Sequence, residues 1–197
     1  MTKGRIFFTS DPHYHHKKVI EYCNRPFETV EDMNITLMNF WNNTVSNNDT
    51  VFVLGDFSFA GTKKTAEVLR ELKGRKILIM GNHDYQNRAE RWAEIGFDEV
   101  YKNFTLEHNG FIFKMSHFPW KGANTDKRTY ESQLERDDAK GVFLLHGHVH
   151  NVWKQQGNMI NVGVDVWGYK PVLIDDIVKL AEAYTESQYP WTVEEKS

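Results

Sequence analysis

The sequence predicts a single mixed α/β domain, and three observations lead to this prediction. Short apolar runs alternate with amphipathic helical patterns in the first half of the chain, and the second half is rich in strands and contains a hairpin. No Ser/Gly-rich linker, internal repeat or low-complexity stretch divides the 197 residues. We therefore expect one domain that covers residues 1–197.

Six short apolar runs are predicted to form buried strands, because each is rich in β-branched or aromatic residues and stops at a polar cluster. They cover residues 6–9, 51–54, 76–80, 111–115, 142–145 and 159–164. Residues 104–116 carry Asn109-Gly110 at their centre, a dipeptide that favours the two-residue turn of a β-hairpin. We therefore expect residues 104–116 to form a hairpin.

Helices are predicted where apolar residues recur with helical spacing. One begins after a capping Thr29 and has an apolar face made of Met33, Leu37, Phe40 and Trp41. Thr62 caps the next helix, which ends near Gly74 and has an inner face made of Ala66, Leu69 and Leu72.

Two further helices are expected later in the chain. One covers about residues 87–94 and stops near Gly96. The other begins near Asp175, and its apolar face carries Ile177, Leu180, Ala181 and Tyr184. The polar segment 121–140 has no clear period and is predicted to be a loop, a short helix or both.

The composition is that of a soluble protein, with 40% hydrophobic and 26% charged residues. The net charge of -3 gives no general electrostatic case for binding nucleic acid or an acidic membrane. The first apolar run is too short for a membrane span or a signal peptide. Cys23 is the only cysteine, so no disulfide forms within the chain, in agreement with a cytoplasmic location.

Residues that commonly bind metals follow the ends of five predicted strands. Strand ends on one edge of a sheet converge in space, so we expect these side chains to lie close together. Five of the nine histidines fall among them, although each motif taken singly is also compatible with an ordinary turn or a capped residue. The residues are Asp11, His13, Asp56, Asn82, His83, Asp84, His117, His148 and His150.

The spacing of these residues also favours metal binding. Asp11 and His13 stand two positions apart, on one side of a segment that Pro12 biases towards extended backbone. His148 and His150 repeat the spacing. Glycine precedes three of the candidate motifs, at Gly55, Gly81 and Gly147, where it allows a sharp turn and close approach of the backbone.

The ligand types suit first-row divalent cations such as Mn, Fe, Zn or Ni, and the absence of thiolates argues against a structural zinc finger. Two cations carry a charge of plus four. Asp11, Asp56 and a hydroxide would remove three, and the neutral Asn82 would remove none. We therefore expect a locally positive site that attracts a phosphate anion.

In their order along the chain, these motifs resemble the signature of the calcineurin-like metallophosphoesterase superfamily. The resemblance implies a four-layer sandwich of two mixed β-sheets flanked by helices, and a pair of divalent ions, with Mn first and Fe, Zn, Ni or Mg as alternatives. It implies that Asp56 bridges the ions and that His83 faces the substrate. The implied ligands are Asp11, His13, Asp56 and His150 for one ion, and Asp56, Asn82, His117 and His148 for the other.

The resemblance implies a phosphoric ester hydrolase in which a metal-bridging hydroxide attacks phosphorus in line. His83 is the predicted catalytic residue with Asp84 as its partner, and Asn82 and His83 are predicted to bind the substrate. Phosphoprotein phosphatases continue the Gly-Asp motif with Asp-Arg-Gly, whereas Asp56 is followed here by Phe57-Ser58-Phe59-Ala60. The sequence more closely resembles small bacterial or phage members.

Within this class, a phosphodiesterase acting on a small phosphate ester or nucleotide is the first prediction. A phosphomonoesterase is the alternative, and a nuclease is weakened by the acidic charge. A non-catalytic scaffold is the competing class, and it would be indicated by missing ligands. The sequence leaves the oligomeric state open.

Several residues near the motifs have two interpretations each. His15 and His16 either touch substrate or cap a helix, and His146 is expected to point away from the ions. Asp165 either orients a ligand histidine or forms a turn. Trp120, Trp167 and Tyr169 either line a substrate groove or pack in the core, and Lys121, Lys127 and Arg128 either bind phosphate or are solvated.

Overall fold

The computed structural model describes residues 4–84, 89–120 and 134–188. Its strands are β1 Ile6–Thr9, β2 Thr50–Val53, β3 Arg75–Ile79, β4 Glu99–Tyr101, β5 Phe104–His108, β6 Phe111–Met115, β7 Val142–His146, β8 Gln155–Gln156, β9 Met159–Asn161 and β10 Val172–Leu173. Its helices are α1 Lys17–Tyr22, α2 Val30–Thr44, α3 Thr62–Glu71, α4 Ala89–Ile95 and α5 Ile174–Gln188.

The strands form two five-stranded mixed sheets, as the fold class predicted. The first sheet has the order β10-β1-β2-β3-β4, in which β1 to β4 are parallel and β10 pairs with β1 in the antiparallel direction. The second sheet has the order β5-β6-β7-β9-β8, with β6, β7 and β9 parallel. Parallel strands place their carboxyl ends at one edge, and this edge positions the functional site.

Alternating side chains on the central strands separate two apolar clusters. In β1, Phe7 packs on the side of helices α1 to α4, whereas Phe8 faces the second sheet. Val53 and Phe52 repeat this division in β2. Such alternation is the period of two expected of a strand, and here both faces are buried, as the continuous apolar runs predicted.

Helix α5 completes the cluster between the sheets. Ile177, Val178 and Ala181 pack with residues of both sheets, such as Phe143 of β7. A smaller cluster on the second sheet contains Leu144 and Met159, together with Trp120. No helix among residues 4–84, 89–120 and 134–188 is long and apolar enough to cross a membrane.

The hairpin prediction is confirmed. Strands β5 and β6 pair in the antiparallel direction with His108 opposite Phe111. Asn109 and Gly110 between them have φ angles of 48° and 80°. Two consecutive residues with positive φ match the twist of the flanking strands, which explains why this dipeptide occupies the turn.

The first helix prediction is confirmed at its cap and on most of its face. The Thr29 hydroxyl accepts a hydrogen bond from the Asp32 N–H, and Met33, Leu37 and Trp41 are buried. Phe40 was expected on the same face but is 41% exposed.

The second helix differs from its prediction in two ways. Gly61 occupies the cap position, so Thr62 is the first helical residue, and the helix ends at Glu71, before Gly74. Its buried residues are Thr65, Val68 and Leu69, and Ala66 is only partly buried. The small Ala66 was a weaker indicator of the inner face than the branched Val68.

The remaining predicted boundaries differ from the observed ones by only a few residues. Helix and strand ends are the least certain part of a sequence prediction. Helix α4 ends just before Gly96, whose φ is 131°, and α5 begins one residue before Asp175. The sixth predicted strand ends at Asn161. Residues 134–140 contain no helix or strand, while 121–133 lie outside the described part.

Candidate metal centre

The predicted ligands come together at the carboxyl ends of the parallel strands. Asp11 and His13 follow β1, Asp56 follows β2, and Asn82 follows β3. From the second sheet, His117 follows β6, and the two remaining histidines, His148 and His150, follow β7. Both sheets therefore contribute to one site.

The loops after β1 and β2 continue the sheet pairing beyond the strand ends. The N–H groups of Asp11, His13 and Tyr14 donate to the carbonyl oxygens of Gly55, Asp56 and Phe57, over 3.1, 3.2 and 3.0 Å. This ladder sets Asp11 and His13 directly beside Asp56.

The expectation of extended backbone at Asp11 and His13 is wrong. Their φ angles are 54° and 51°, in the left-handed region, and Asp56, His148 and His150 share this region at 52°, 68° and 48°. Each such residue costs on the order of 1–3 kcal/mol and persists only where the surroundings hold it. Backbone hydrogen bonds of the neighbouring loops supply that restraint here.

One group of ligand atoms surrounds the His13 ring. His13 Nε2 lies 3.8 Å from Asp11 Oδ1 and 3.7 Å from Asp56 Oδ2, and His150 Nε2 lies 4.0 Å from Asp11 Oδ1. Asp11 Oδ1 and both ring nitrogens of His13 are buried without a hydrogen-bond partner. Ligand atoms that share one cation at 2.0–2.2 Å lie roughly 3 to 4 Å apart, so the group fits a divalent ion.

A second group shares Asp56. Asn82 Oδ1 lies 3.0 Å from His117 Nε2 and 3.2 Å from His148 Nδ1, and the two ring nitrogens are 3.2 Å apart. His117 Nε2 is also 3.6 Å from Asp56 Oδ2. Because His117 Nδ1 donates to the Leu54 carbonyl oxygen, Nε2 of the neutral ring and Asn82 Oδ1 are two acceptors with no proton between them, and a cation would remove that conflict.

Each carboxylate presents one oxygen to these groups and has the other held by the backbone. Asp11 Oδ2 accepts a hydrogen bond of 2.9 Å from the His148 N–H, and Asp56 Oδ1 accepts one of 3.0 Å from the His83 N–H. The oxygens that face the ligand groups are therefore Asp11 Oδ1 and Asp56 Oδ2. This arrangement orients both carboxylates without using the atoms that would bind ions.

Two of the histidines are oriented by acceptors on their far ring nitrogen. His117 Nδ1 lies 2.7 Å from the Leu54 carbonyl oxygen, so it is the donor nitrogen and leaves Nε2 to face Asp56. His150 Nδ1 lies 3.1 Å from Asp165 Oδ2. Burial alone would lower the pKa of His150. The hydrogen bond to Asp165 and further contacts with Cys23 and Asp11 outweigh the effect of burial and raise the pKa of His150 to about 11.

Two glycines permit the close approach that the sequence suggested. Gly55 has a φ of 90°, and a Cβ there would lie 2.5 Å from His117 Nδ1. A Cβ at Gly147 would overlap Ser10 Oγ and Asp11 Oδ2. A side chain at either position would displace a ligand, which explains the glycines.

Asp84, predicted as the catalytic partner of His83, has a positioning role in the structure. It is fully buried, and its carboxylate accepts hydrogen bonds from the N–H groups of Asp56 and Gly81 at 2.7 and 2.8 Å. Burial and the nearby Asp56 raise its pKa to about 7. Because it touches backbone and not the cavity, Asp84 acts by joining the loops after β2 and β3.

Arg25 has no counterpart in the sequence prediction. Its buried guanidinium forms a bidentate pair with Asp165, with Nε–Oδ1 and Nη2–Oδ2 distances of 2.7 and 2.9 Å. It also donates to the carbonyl oxygens of Asp11 and Pro12 at 2.7 and 2.9 Å. Arg25 thus ties the strained loop after β1 to the partner of His150, and Asp165 has the orienting role rather than a turn role alone.

A cavity of about 690 Å³ opens beside the ligand groups. His83 borders it with a side chain that is 36% exposed, and its Nε2 lies 3.8 Å from Asp56 Oδ2. His16 also lines the cavity, whereas His15 is tied to Asn34 of α2 by two hydrogen bonds. His146 packs against Trp153, with ring centroids 4.6 Å apart, in agreement with its predicted orientation.

Of the two interpretations of Trp120, Trp167 and Tyr169, the structure supports packing and not a substrate groove. Trp120 is 2% exposed, and its indole N–H donates to Asn158 Oδ1. Trp167 donates to the Asn161 carbonyl oxygen and is covered by Lys154, whose Nζ lies 3.6 Å from the ring centroid. Tyr169 packs against Phe27. Lys121, Lys127 and Arg128 lie outside the described residues.

Replacing Arg25 tests its role in holding the site. We expect Arg25→Met to lower the free energy of unfolding by about 3–5 kcal/mol, because it removes the buried guanidinium and leaves the buried Asp165 carboxylate with only its contact to His150. We also expect weaker Mn²⁺ binding, because the loop that carries Asp11 and His13 loses two restraints. Urea unfolding and calorimetric titration with Mn²⁺ measure the two effects.

Arg91→Met is the matched control. Arg91 pairs with Glu94 on α4, and the two side chains are 49% and 63% exposed, so the loss of this pair should cost only about 0–1 kcal/mol. Equal effects of the two substitutions on Mn²⁺ affinity would contradict the role assigned to Arg25.

Comparisons with known proteins agree with this geometry. A family model described as calcineurin-like phosphoesterase matches residues 4–162. The chain is 35% identical over 191 residues to Uncharacterized protein MJ1445 of Methanocaldococcus jannaschii, covering 92% of this chain and 94% of that protein. It is 32% identical over 211 residues to the Gene 66 protein of Mycobacterium phage L5, covering 94% and 98%.

A solved structure also matches over nearly its whole length. The crystal structure of AQ665, a protein of unknown function from Aquifex aeolicus, aligns with a TM-score of 0.68 at 27% identity, covering 90% of this chain and 99% of that chain. The family model, the two mixed sheets and the ligand groups at the strand ends lead to the same conclusion. The chain belongs to the calcineurin-like phosphoesterase family.

Proposed function

We propose that the protein is a phosphoric ester hydrolase that works with two divalent metal ions. The observation that carries the proposal is the pair of ligand groups that share Asp56 Oδ2. One ion would be held by Asp11, His13, Asp56 and His150, and the other by Asp56, Asn82, His117 and His148. Mn²⁺ is our first choice, and Fe, Zn, Ni and Mg are the alternatives.

Two bound divalent ions would supply Lewis acidity, lowering the pKa of water from 15.7 to about 7 and neutralising charge that develops on phosphoryl oxygens. The protein sets the net charge of the site. Asp11 and Asp56 are the only carboxylates among the proposed ligands, so they offset half of the charge of plus four. The site would attract phosphate although the whole chain has a net charge of -3.

His83 is the residue we propose for acid catalysis at the leaving oxygen or for stabilising the transition state. Its backbone N–H is fixed on Asp56 Oδ1, while its partly exposed ring stands between the ligand groups and the cavity. Asn82 also lines the cavity, and its Oδ1 faces two imidazoles, which leaves its amide N–H₂ group to donate to a phosphate oxygen.

A phosphate diester is the substrate class that the charges favour. A monoester dianion carries one more negative charge and needs extra cationic side chains. Lys18 is the one lysine or arginine among the described residues that line the cavity. The segment Phe57-Ser58-Phe59-Ala60 supplies no cation either. Phosphomonoesterase activity is the alternative, and nuclease activity and a non-catalytic scaffold are less favoured.

Removal of metal should abolish hydrolysis and destabilise the fold, because one site would join loops from both sheets. Saturation with Mn²⁺ at 100 times its Kd should restore activity and add about 2.7 kcal/mol per bound ion to the free energy of unfolding. Chelation, assay and thermal unfolding before and after adding Mn²⁺ measure this. Full activity of a demonstrably metal-free preparation would reject the proposal.

Two substitutions separate metal binding from catalysis. Asp56→Asn should lose both metal and rate, because only Asp56 is shared by the two groups. His83→Ala should retain two ions per chain and lose about 10²- to 10⁴-fold in kcat, the usual contribution of general acid–base catalysis. His108→Ala, at the end of β5, is the control. A His83→Ala protein that lacks one ion would instead make His83 a ligand.

The substrate class is tested with two esters that share a leaving group. Under Mn²⁺, bis(p-nitrophenyl) phosphate should be hydrolysed with a higher kcat/KM than p-nitrophenyl phosphate, because the cavity offers few cations to a dianion. A preference of tenfold or more for the monoester, about 1.4 kcal/mol in transition-state binding, would replace the diesterase proposal by the monoesterase alternative.

A further inference from the structure

Three rings in consecutive contact lead from the surface to His83 and His13 at the metal-ligand groups. Tyr22 stands edge-on to His16 with centroids 6.4 Å apart, and His16 stacks on Phe59 at 3.8 Å with only 6° between the planes. Phe59 then contacts His83 at 4.3 Å and the ring of His13 at 5.2 Å. All of these residues line the cavity, and we call Tyr22, His16 and Phe59 the aromatic wall.

The wall is exposed in a way that folding alone does not explain. Among the described residues, five large apolar side chains are exposed, and three of them line this one cavity: Tyr22 at 70%, Phe59 at 40% and Val152 at 74%. Exposed apolar side chains scattered singly are normal on a protein surface, whereas a cluster beside a polar centre indicates a ligand. Val149 and Trp153 extend the apolar lining.

We propose that the aromatic wall binds a planar aromatic substituent of the phosphate ester, of the nucleobase class, by stacking. The inference rests on the proposed function, because the phosphate has to occupy the neighbouring metal centre for the substituent to reach the wall. Phe59 lies within ring contact of both His13 and His83, and His16 contacts His13, so a substituent on a phosphate bound there would meet the wall at these two rings.

The chemistry of the lining favours stacking over hydrogen-bonded readout. Stacking on aromatic side chains accepts any base, because every base has a π face. The wall presents rings, and the valines beside it present methyl groups. We therefore expect the wall to distinguish aromatic from non-aromatic substituents strongly, and one base from another only weakly.

The test compares two ligands that differ only in the base. Calorimetric titration of the Mn²⁺-loaded protein with adenosine 5′-monophosphate and with ribose 5-phosphate gives two dissociation constants. We expect adenosine 5′-monophosphate to bind at least tenfold more tightly. Phe59→Leu should reduce this preference to less than threefold and leave the affinity for ribose 5-phosphate unchanged, because the sugar and the phosphate do not need the ring.

Phe40→Leu is the matched control, since it makes the same change at a phenylalanine that is 41% exposed on α2 and does not line the cavity. It should keep the full preference. Equal binding of the two ligands by the unchanged protein, or a loss that Phe40→Leu reproduces, overturns the inference while hydrolysis of bis(p-nitrophenyl) phosphate still stands. Base-dependent binding without hydrolysis of any ester would reject the proposed function instead.

Discussion

The site depends on the backbone ladder that runs past the ends of β1 and β2. The N–H groups of residues 11, 13 and 14 bond to the loop that carries Asp56, and this pairing holds Asp11 and His13 in left-handed conformations they would not adopt alone. The strain is local and the restraint comes from the sheet. The positions of Asp11 and His13 relative to Asp56 are therefore set by strand pairing, and they would be largely formed before a divalent ion binds.

Several buried polar atoms lie at the carboxyl ends of the parallel strands, out of contact with water. Asp11 Oδ1 and both nitrogens of His13 are buried without partners, which is costly in a folded protein unless something else binds them. Arg25 and Asp165 add a buried ion pair next to them, and it satisfies carbonyl oxygens of the β1 loop. Stability and ion binding are thus linked at this edge, because the atoms that weaken the metal-free fold are those that would bind metal.

The sequence predicted most of the strands and the convergence of the candidate ligands at the strand ends, because both depend on local features: apolar runs that end abruptly, and polar residues directly after them. It missed Arg25 because its partner Asp165 stands 140 residues away, and no local pattern marks a buried arginine. Strands β4, β8 and β10 were missed because they have only two or three residues and lie at sheet edges. The sequence left open whether Trp120 and Trp167 line a groove or pack in the core, because only tertiary packing decides whether an indole is buried.

The four residues after Asp56 depart from the phosphoprotein phosphatase pattern, and the two phenylalanines among them have separate positions in the structure. Phe57 is fully buried and packs in the cluster beneath the helices, where it fixes the loop. Phe59, two positions on, turns to the cavity, and its N–H donates to the Tyr14 carbonyl oxygen over 2.9 Å. The ladder that aligns Asp11 with Asp56 therefore also places Phe59. An arginine in this segment would bring charge to a bound phosphate, whereas Phe59 would bring a ring to whatever that phosphate carries. The positions of Asp11, Asp56 and the proposed stacking residue Phe59 therefore follow from one pair of adjacent loops.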